Sequence, residues 1–470
     1  MKKIFTLLFL SLFLFEGKIN NSVANENNVE FSNDDKGLSF VGSFNKPAFL
    51  DPGFNPGTME RCPYCYQTYL DPANGPELLV CPNCGRRFNE KEWTIMIYMS
   101  GCDLESRVLR CQPARASADI TEMLNVPNQP DDVNVIIQTG GAEAWSPAHG
   151  ISSDKIQRWH IKDGQLVKDA DLSQNSMGDK TVFRSFIDWG LRKYPAKKTG
   201  VIMWGHGQGM KGVCFDENFE NSTGALDSLL NTECDYGFNL GFSDAQQSSK
   251  LEFIGYDACL MQVQDVADMN SKYFKYMLAS ENNVINEGLN YNSLLSAVYS
   301  KQSTLNILQS TVDGYILSNV RDGYFTDRTM SVLDLSKMQS YKTAWENMSI
   351  QLLNKLNTMN KAIFKASLKS VLRTVQHFGR EDYLNYCVFD AKDFVNKINY
   401  ETTLNVGYSY INPVINALNN MVLYSAKGSG AGNSNGLSMY FDCSPNCYYE
   451  NAQTRFTTWR DFNIATNINL

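Results

Sequence analysis

The chain reads as an α/β protein, a mainly parallel sheet flanked by helices, preceded by a small cysteine-rich module and followed by a more helical C-terminal region. Three observations predict this. From Trp93 onward, short apolar runs alternate with longer amphipathic stretches, as expected when strands are joined by helical crossovers. Before that point, Cys62, Cys65, Cys81 and Cys84 form two closely spaced pairs in a stretch too short to build its own core. Past about residue 336 the helical period dominates.

The 470 residues are 43% hydrophobic and 20% charged, enough apolar material for a large core and too long a chain for one module. The expected division is a signal peptide over 1–24, a linker over 25–58, a zinc-ribbon-like module over 59–90, the α/β core over 91–335, and a helical region over 336–470 that returns one strand to the core.

Met1, Lys2 and Lys3 followed by the apolar run Ile4 to Phe15 have the charged start and short apolar centre of a secretory signal. Ser22-Val23-Ala24 offers a small-x-small cleavage site, so cleavage is expected after Ala24. The alternative, an uncleaved anchor, is disfavoured by the shortness of the run, and no later stretch is apolar for long enough to span a bilayer. The mature protein is therefore expected outside the cytoplasm: secreted, at the cell surface or periplasmic. Residues 25–58, rich in Asn, Ser, Gly and Pro, read as a linker.

Cys62-Pro63-Tyr64-Cys65 and Cys81-Pro82-Asn83-Cys84-Gly85 are two knuckles at zinc-ribbon separation. Four thiolates on one Zn²⁺ would replace the hydrophobic core this segment lacks. Export argues instead for two disulfides, and that alternative stays open. Of the other cysteines, Cys102 with Cys111 and Cys443 with Cys447 are spaced to close short disulfide loops, while Cys214, Cys234 and Cys387 read as buried or unpaired.

Strands are expected at Trp93 to Met99, Val133 to Gln138, Thr199 to Trp204, Leu251 to Tyr256, Tyr276 to Ser280 and Met330 to Leu335. Helices are expected at Thr181 to Lys193, Leu260 to Asn270, Thr304 to Ser318 and Lys337 to Asn357, with further helical patterns at Ala362 to Gln376 and Pro413 to Tyr424. A last apolar run, Gly436 to Phe441, is the candidate for the returning strand.

Among only four histidines, His206 stands apart, because it leaves the run Val201 to Trp204 inside Trp-Gly-His-Gly-Gln-Gly. Flanking glycines let the backbone turn sharply and approach a ligand, although Gly-rich strand exits are also ordinary turns. Cys259 leaves the next apolar run in the same way, in Tyr256-Asp257-Ala258-Cys259-Leu260-Met261. A thiol at a strand end that opens a helix gains thiolate character from the helix N-terminus; a lone cysteine is otherwise a small buried hydrophobe. The two together, a histidine about 50 residues upstream of a cysteine, each ending a strand, point to nucleophilic catalysis at the carboxyl edge of the sheet.

Trp93 to Met99, the Met177-Gly178-Asp179 turn, Trp204-Gly205-His206-Gly207, Asp257 to Met261, Ala279-Ser280-Glu281 and Gly436 to Phe441 occur in the order that resembles clostripain-family cysteine peptidases, relatives of caspases and gingipains. The resemblance covers Trp93 to Phe441. It implies a caspase-like fold and an endopeptidase cleaving after Arg or Lys through a Cys-His dyad. By motif, Cys259 is the nucleophile and His206 the general acid/base. The backbone N–H groups of Gly207 and Cys259 are the oxyanion donors. Asp257 is then the acidic floor of the S1 pocket, with Glu281 as a second negative charge; its alternative is the cap of a helix starting near Cys259. Calcium is a further ion to test, since dependence on it and self-cleavage occur in the family. The polar stretch Glu217 to Gly241 lacks Lys and Arg, so self-processing would fall nearer Lys211 or Lys250. Gln208-Gly209-Met210 and Asn286 to Tyr291 depart from the family pattern, which bears on the shape of the cleft and not on the dyad.

A net charge of -8 and a pI near 5.2 disfavour nucleic acid as the main partner, because phosphate binding needs a concentrated basic surface, and only Arg86-Arg87 and scattered lysines lie near the knuckles to support zinc-ribbon nucleic-acid binding. The expected partners are proteins or peptides with basic P1 residues. The alternative from another class is a non-catalytic exported scaffold that uses the zinc module to bind a partner, in which Cys259 would be dispensable.

Overall fold

A computed structural model describes residues 58–62, 65–71, 81–84, 87–107, 114–318, 326–379, 387–442, 454–468 and 470. The leader and nearly all of the linker lie outside them, as does the Cys443 with Cys447 loop. The chain divides into Met1–Pro56 and a second unit, Gly57–Leu470.

The second unit is organised by a nine-stranded sheet. Its strands are β1 (Lys91–Ser100), β2 (Val133–Gly140), β3 (Lys155–Lys162), β4 (Gln165–Ser173), β5 (Ala196–Trp204), β6 (Leu251–Asp257), β7 (Phe274–Ala279), β8 (Thr329–Asp334) and β9 (Val422–Lys427). Across the sheet they run 9-8-7-6-5-1-2-3-4. The five central strands, 7-6-5-1-2, are parallel; each flank is completed by two antiparallel strands. Every residue of β6 is buried, as a strand covered on both faces requires.

Alternation along each strand feeds two cores. On β1, Trp93, Ile95, Ile97 and Met99 join one apolar cluster, while Met96 and Tyr98 join the other. The first cluster is covered by α2 (Arg115–Leu124), α6 (Tyr291–Tyr299) and α7 (Thr304–Leu317). The second is covered by α3 (Lys180–Lys193), α4 (Asn231–Asp244), α5 (Gln264–Asn270) and α8 (Met338–Thr358). Asp179 starts α3 by accepting from the backbone N–H groups of Thr181 (2.6 Å) and Val182 (3.2 Å).

Three of the departures from the sequence reading concern the strands and loops of the fold. Strands β3 and β4 were not expected; they form a hairpin whose signal was Asp163-Gly164, with φ of 50° and 71°, a pair suited to a tight turn. The returning strand is β9, pairing antiparallel with β8, and not the run at Gly436 to Phe441. From that run, Ser438–Tyr440 pairs with Val388–Asp390 in a separate three-stranded sheet. Position, not apolarity, separates the two: β9 lies at the edge and alternates half-buried and exposed residues, so its sequence lacks the continuous apolar run. Finally, Glu217 to Gly241 is built into a hairpin, Val213–Glu220 with Leu226–Leu229, and most of α4.

Candidate active site and metal cluster

Strands β5 and β6 are parallel neighbours in register, with Trp204 opposite Asp257. His206 and Cys259 each lie two residues farther on, so the sheet brings both to one carboxyl edge. The ladder continues past the strands, Gly205 N–H donating to Asp257 C=O at 3.1 Å. Gly207 then lies against the cysteine loop: a Cβ there would sit 2.5 Å from the Cys259 carbonyl oxygen and 3.0 Å from its nitrogen. Gly207 also bridges Val213, but the two hydrogen bonds come from its neighbours, Gln208 N–H to Gly212 and Cys214 N–H to His206 C=O. The Gly207 N–H is thus left out of that ladder.

The reading of Cys259 as the start of a helix is corrected. Helix α5 begins at Gln264, after a loop in which Leu260 has a φ of 64°. The half-buried thiol gains its donor elsewhere: the Val284 N–H points at Sγ from 3.3 Å. A donor to sulfur favours the charged form, which the helix had been expected to do.

His206 has a partner that the sequence did not reveal. Its Nε2 lies 2.5 Å from Asp103 Oδ1, at the start of the five-residue helix α1 (Cys102–Ser106). The His206 contact holds the Asp103 carboxyl below its usual range, with Arg107 adding to the effect. A carboxylate only accepts, so Nε2 carries the proton and Nδ1 is the basic nitrogen of the neutral ring. No sequence signal marks Asp103, which precedes His206 by 103 positions.

Asp257 caps no helix. It is 5% exposed, and its carboxylate accepts from Leu289 N–H (3.1 Å to each oxygen) and Tyr291 O–H (3.1 Å). Burial pushes its carboxyl up to about 6. Gly288, with φ of 64°, passes so close that a Cβ would come within 2.7 Å of Asp257 Oδ2. The Asn286 to Tyr291 segment that departs from the family pattern therefore covers this carboxylate. On the same face, buried Asp119 accepts from Trp204 Nε1 at 2.7 Å, and burial with the Asp257 charge raises its carboxyl too.

Glu281 does not share that group. Its buried carboxyl is hydrogen-bonded by the Ser434 hydroxyl and the Gly436 N–H (2.9 Å), beside Asp390. It fastens the Gly436 segment to the end of β7 instead of standing with Asp257.

The four N-terminal cysteines converge. Their Sγ atoms all lie within 4.8 Å of one another, and Cys62 to Cys84 and Cys65 to Cys81 are each 3.8 Å apart. Tetrahedral thiolates at about 2.3 Å from a zinc ion stand about 3.8 Å apart, whereas a disulfide needs about 2.05 Å. The four sulfur atoms are thus spaced for a shared ion and not for disulfides, so the cluster can hold a metal. The first knuckle is shaped by Tyr66 N–H to Cys62 C=O and Cys62 N–H to Gln67 C=O, both 3.0 Å. Buried Arg87 ties the module to the core, donating to the carbonyls of Leu191 (3.2 Å), on α3, and Ala245, just past α4. Of the other cysteines, Cys102 is a free thiol and so makes no bond to Cys111, which lies outside the described residues, while Cys387 is buried as expected and is also disulfide-bonded.

A parallel sheet presenting a cysteine and a histidine on adjacent strand ends defines a cysteine-peptidase type of α/β architecture. Residues 113–468 match the clostripain family. Clostripain from Hathewaya histolytica is 24% identical over 330 residues, 60% of this chain and 61% of that protein. A secreted C11 cysteine protease from Bacteroides thetaiotaomicron, solved with an irreversible peptide inhibitor, shares the fold at a TM-score of 0.54 and 16% identity, over 80% of this chain and 99% of that one. An inactive zymogen C11 protease from Parabacteroides distasonis does so at 0.52 and 14%, over 74% and 92%. The chain belongs to the clostripain family, and it spans 61% of the length of the curated relative it matches.

Proposed function

We propose that the chain is an exported cysteine endopeptidase that cleaves after Arg or Lys. The observation that carries this is the register of β5 and β6, which delivers His206 and Cys259 together beside a buried carboxylate. The Cys259 thiolate attacks the scissile carbonyl, and the N–H groups of Gly207 and Cys259 receive the developing oxyanion. His206, oriented through Nε2 by Asp103, takes the Cys259 thiol proton on Nδ1 and delivers it to the leaving amine. It then takes one from the water that hydrolyses the acyl-enzyme.

Asp257 is the proposed P1 recognition group. A carboxylate at the bottom of a dry pocket selects a guanidinium or ammonium through charge-assisted bonds. It does so only when ionised; because its carboxyl is pushed up to about 6, cleavage after Arg is expected to fall as pH drops through that value. Asp257→Asn keeps the size and removes the charge. Against fluorogenic peptides with Arg, Lys, Asp or Leu at P1, assayed with and without calcium, it is expected to lose roughly 10- to 100-fold in kcat/KM for the basic substrates alone. An equal loss on all four would remove Asp257 from P1 recognition.

Gly207→Ala tests the loop contact. The added methyl meets backbone, not a flexible side chain, so the histidine and cysteine loops must separate. Turnover is expected to drop roughly 100-fold for every P1 residue, a pattern opposite to that of Asp257→Asn. Unchanged kcat in a crystallographically confirmed variant would contradict it.

The Cys62, Cys65, Cys81 and Cys84 cluster is proposed to hold one structural zinc. Four thiolates leave no position open for a substrate, so the ion supplies folding energy to the module and takes no part in the hydrolysis.

A further inference from the structure

A second set of metal-ligand types surrounds the catalytic histidine. Cys102 Sγ, an Asp103 carboxylate oxygen and a His206 ring nitrogen all lie within 4.8 Å of one another. Zinc bonds of about 2.0 to 2.3 Å place tetrahedral ligand atoms about 3.3 to 3.8 Å apart, so small adjustments suffice to close the set. Cys102 is held there by backbone. Its φ is 44°, uncommon for a residue with a side chain, and its N–H is fixed to the Gly141 carbonyl at 3.0 Å. The thiol is wholly buried, while the His206 and Asp103 side chains are 38% and 30% exposed, so an ion has a route in from solvent. The surroundings favour a dication: Asp216 and Glu217 add negative potential at Cys102. Arg107 opposes it from Asp103 Oδ2 (3.2 Å), on the oxygen that His206 does not touch.

We propose that Cys102, Asp103 and His206 form an inhibitory zinc site, in which the ion takes the catalytic imidazole out of proton transfer. The inhibitory consequence rests on the role given to His206 above; the binding of the ion does not. Sulfur, imidazole nitrogen and carboxylate oxygen together suit Zn²⁺ better than Mg²⁺ or Ca²⁺, with water in the fourth position. On binding, the Cys102 thiol proton leaves to solvent and a sulfur–zinc bond forms. The His206 proton moves from Nε2 to Nδ1, so that Nε2 bonds the ion. The ring then has no nitrogen left to accept a proton.

The test counts metal as well as activity. The reduced full chain, Cys102→Ser and Cys259→Ala are dialysed to equilibrium against buffered Zn²⁺, bound zinc is measured by elemental analysis, and peptide hydrolysis is followed in the same buffers. The wild type should hold one ion more than Cys102→Ser at inhibiting zinc concentrations. Cys259→Ala should match the wild type in zinc content, and Cys102→Ser should need at least tenfold more zinc for half inhibition. Zinc in the four-cysteine cluster is common to all three and cancels. The inference is overturned if Cys259→Ala loses the extra ion, which would place zinc between Cys259 and His206. Equal zinc content in the wild type and Cys102→Ser would also overturn it. Should Cys102→Ser not fold, Asp103→Asn replaces it and should lose the same ion. A chain with no peptidase activity would still give the ion count, so failure of the enzymatic reading is distinguishable.

Discussion

Cys259→Ala is expected to abolish peptide hydrolysis, a loss of roughly 10⁴-fold or more, without changing the fold. The size follows from removing the atom that forms the acyl bond, which no neighbour can replace. Cys102, Cys214 and Cys234 are all buried, with thiols that burial raises. Cys259 is partly exposed and has an N–H donor on its sulfur. A peptide electrophile with Arg at P1 should therefore label Cys259 in the wild type, seen as one mass addition on its tryptic fragment, and label nothing in Cys259→Ala. Labelling that moves to another cysteine, or hydrolysis that survives the substitution, would favour the binding scaffold over the enzyme.

Removing metal from the four-cysteine cluster is expected to have the largest effect on stability. Structural zinc supplies roughly 10 to 16 kcal/mol in small metal modules, far more than the short Thr58–Arg61 and Thr68–Asp71 hairpin can offer. A chelator should therefore unfold residues 58–90 while the nine-stranded sheet persists on its own two apolar cores. Amide exchange should rise across the module and, through loss of the Arg87 contacts, at the ends of α3 and α4. The core strands β1, β5 and β6 should stay protected. No change on chelation, with two disulfides found by mass spectrometry, would instead support the oxidised form of the module.

Most of the central sheet was legible in the sequence because buried parallel strands must be continuously apolar. The run at Thr199 to Trp204 is strand β5, and that at Leu251 to Tyr256 is β6. The knuckle spacing was legible for a similar reason: metal ligands close in sequence are brought together by local turns. The hairpin β3 and β4 was readable in principle from Asp163-Gly164, but its outer strand is mostly exposed or half-buried and carries little apolar signal.

What the sequence determined by itself was the set of chemical groups at the two strand exits, His206 after β5 and Cys259 after β6, because each motif is local. Only the tertiary structure decided what surrounds them. Asp103 reaches His206 from just past the end of β1, Val284 turns its N–H to Cys259, and Leu289 and Tyr291 hydrogen-bond Asp257. Glu281, expected as a second negative charge beside Asp257, faces the Gly436 segment instead. A side chain's partners are fixed by which elements pack across the sheet, and in a parallel fold those contacts join residues tens to hundreds of positions apart with no periodic trace.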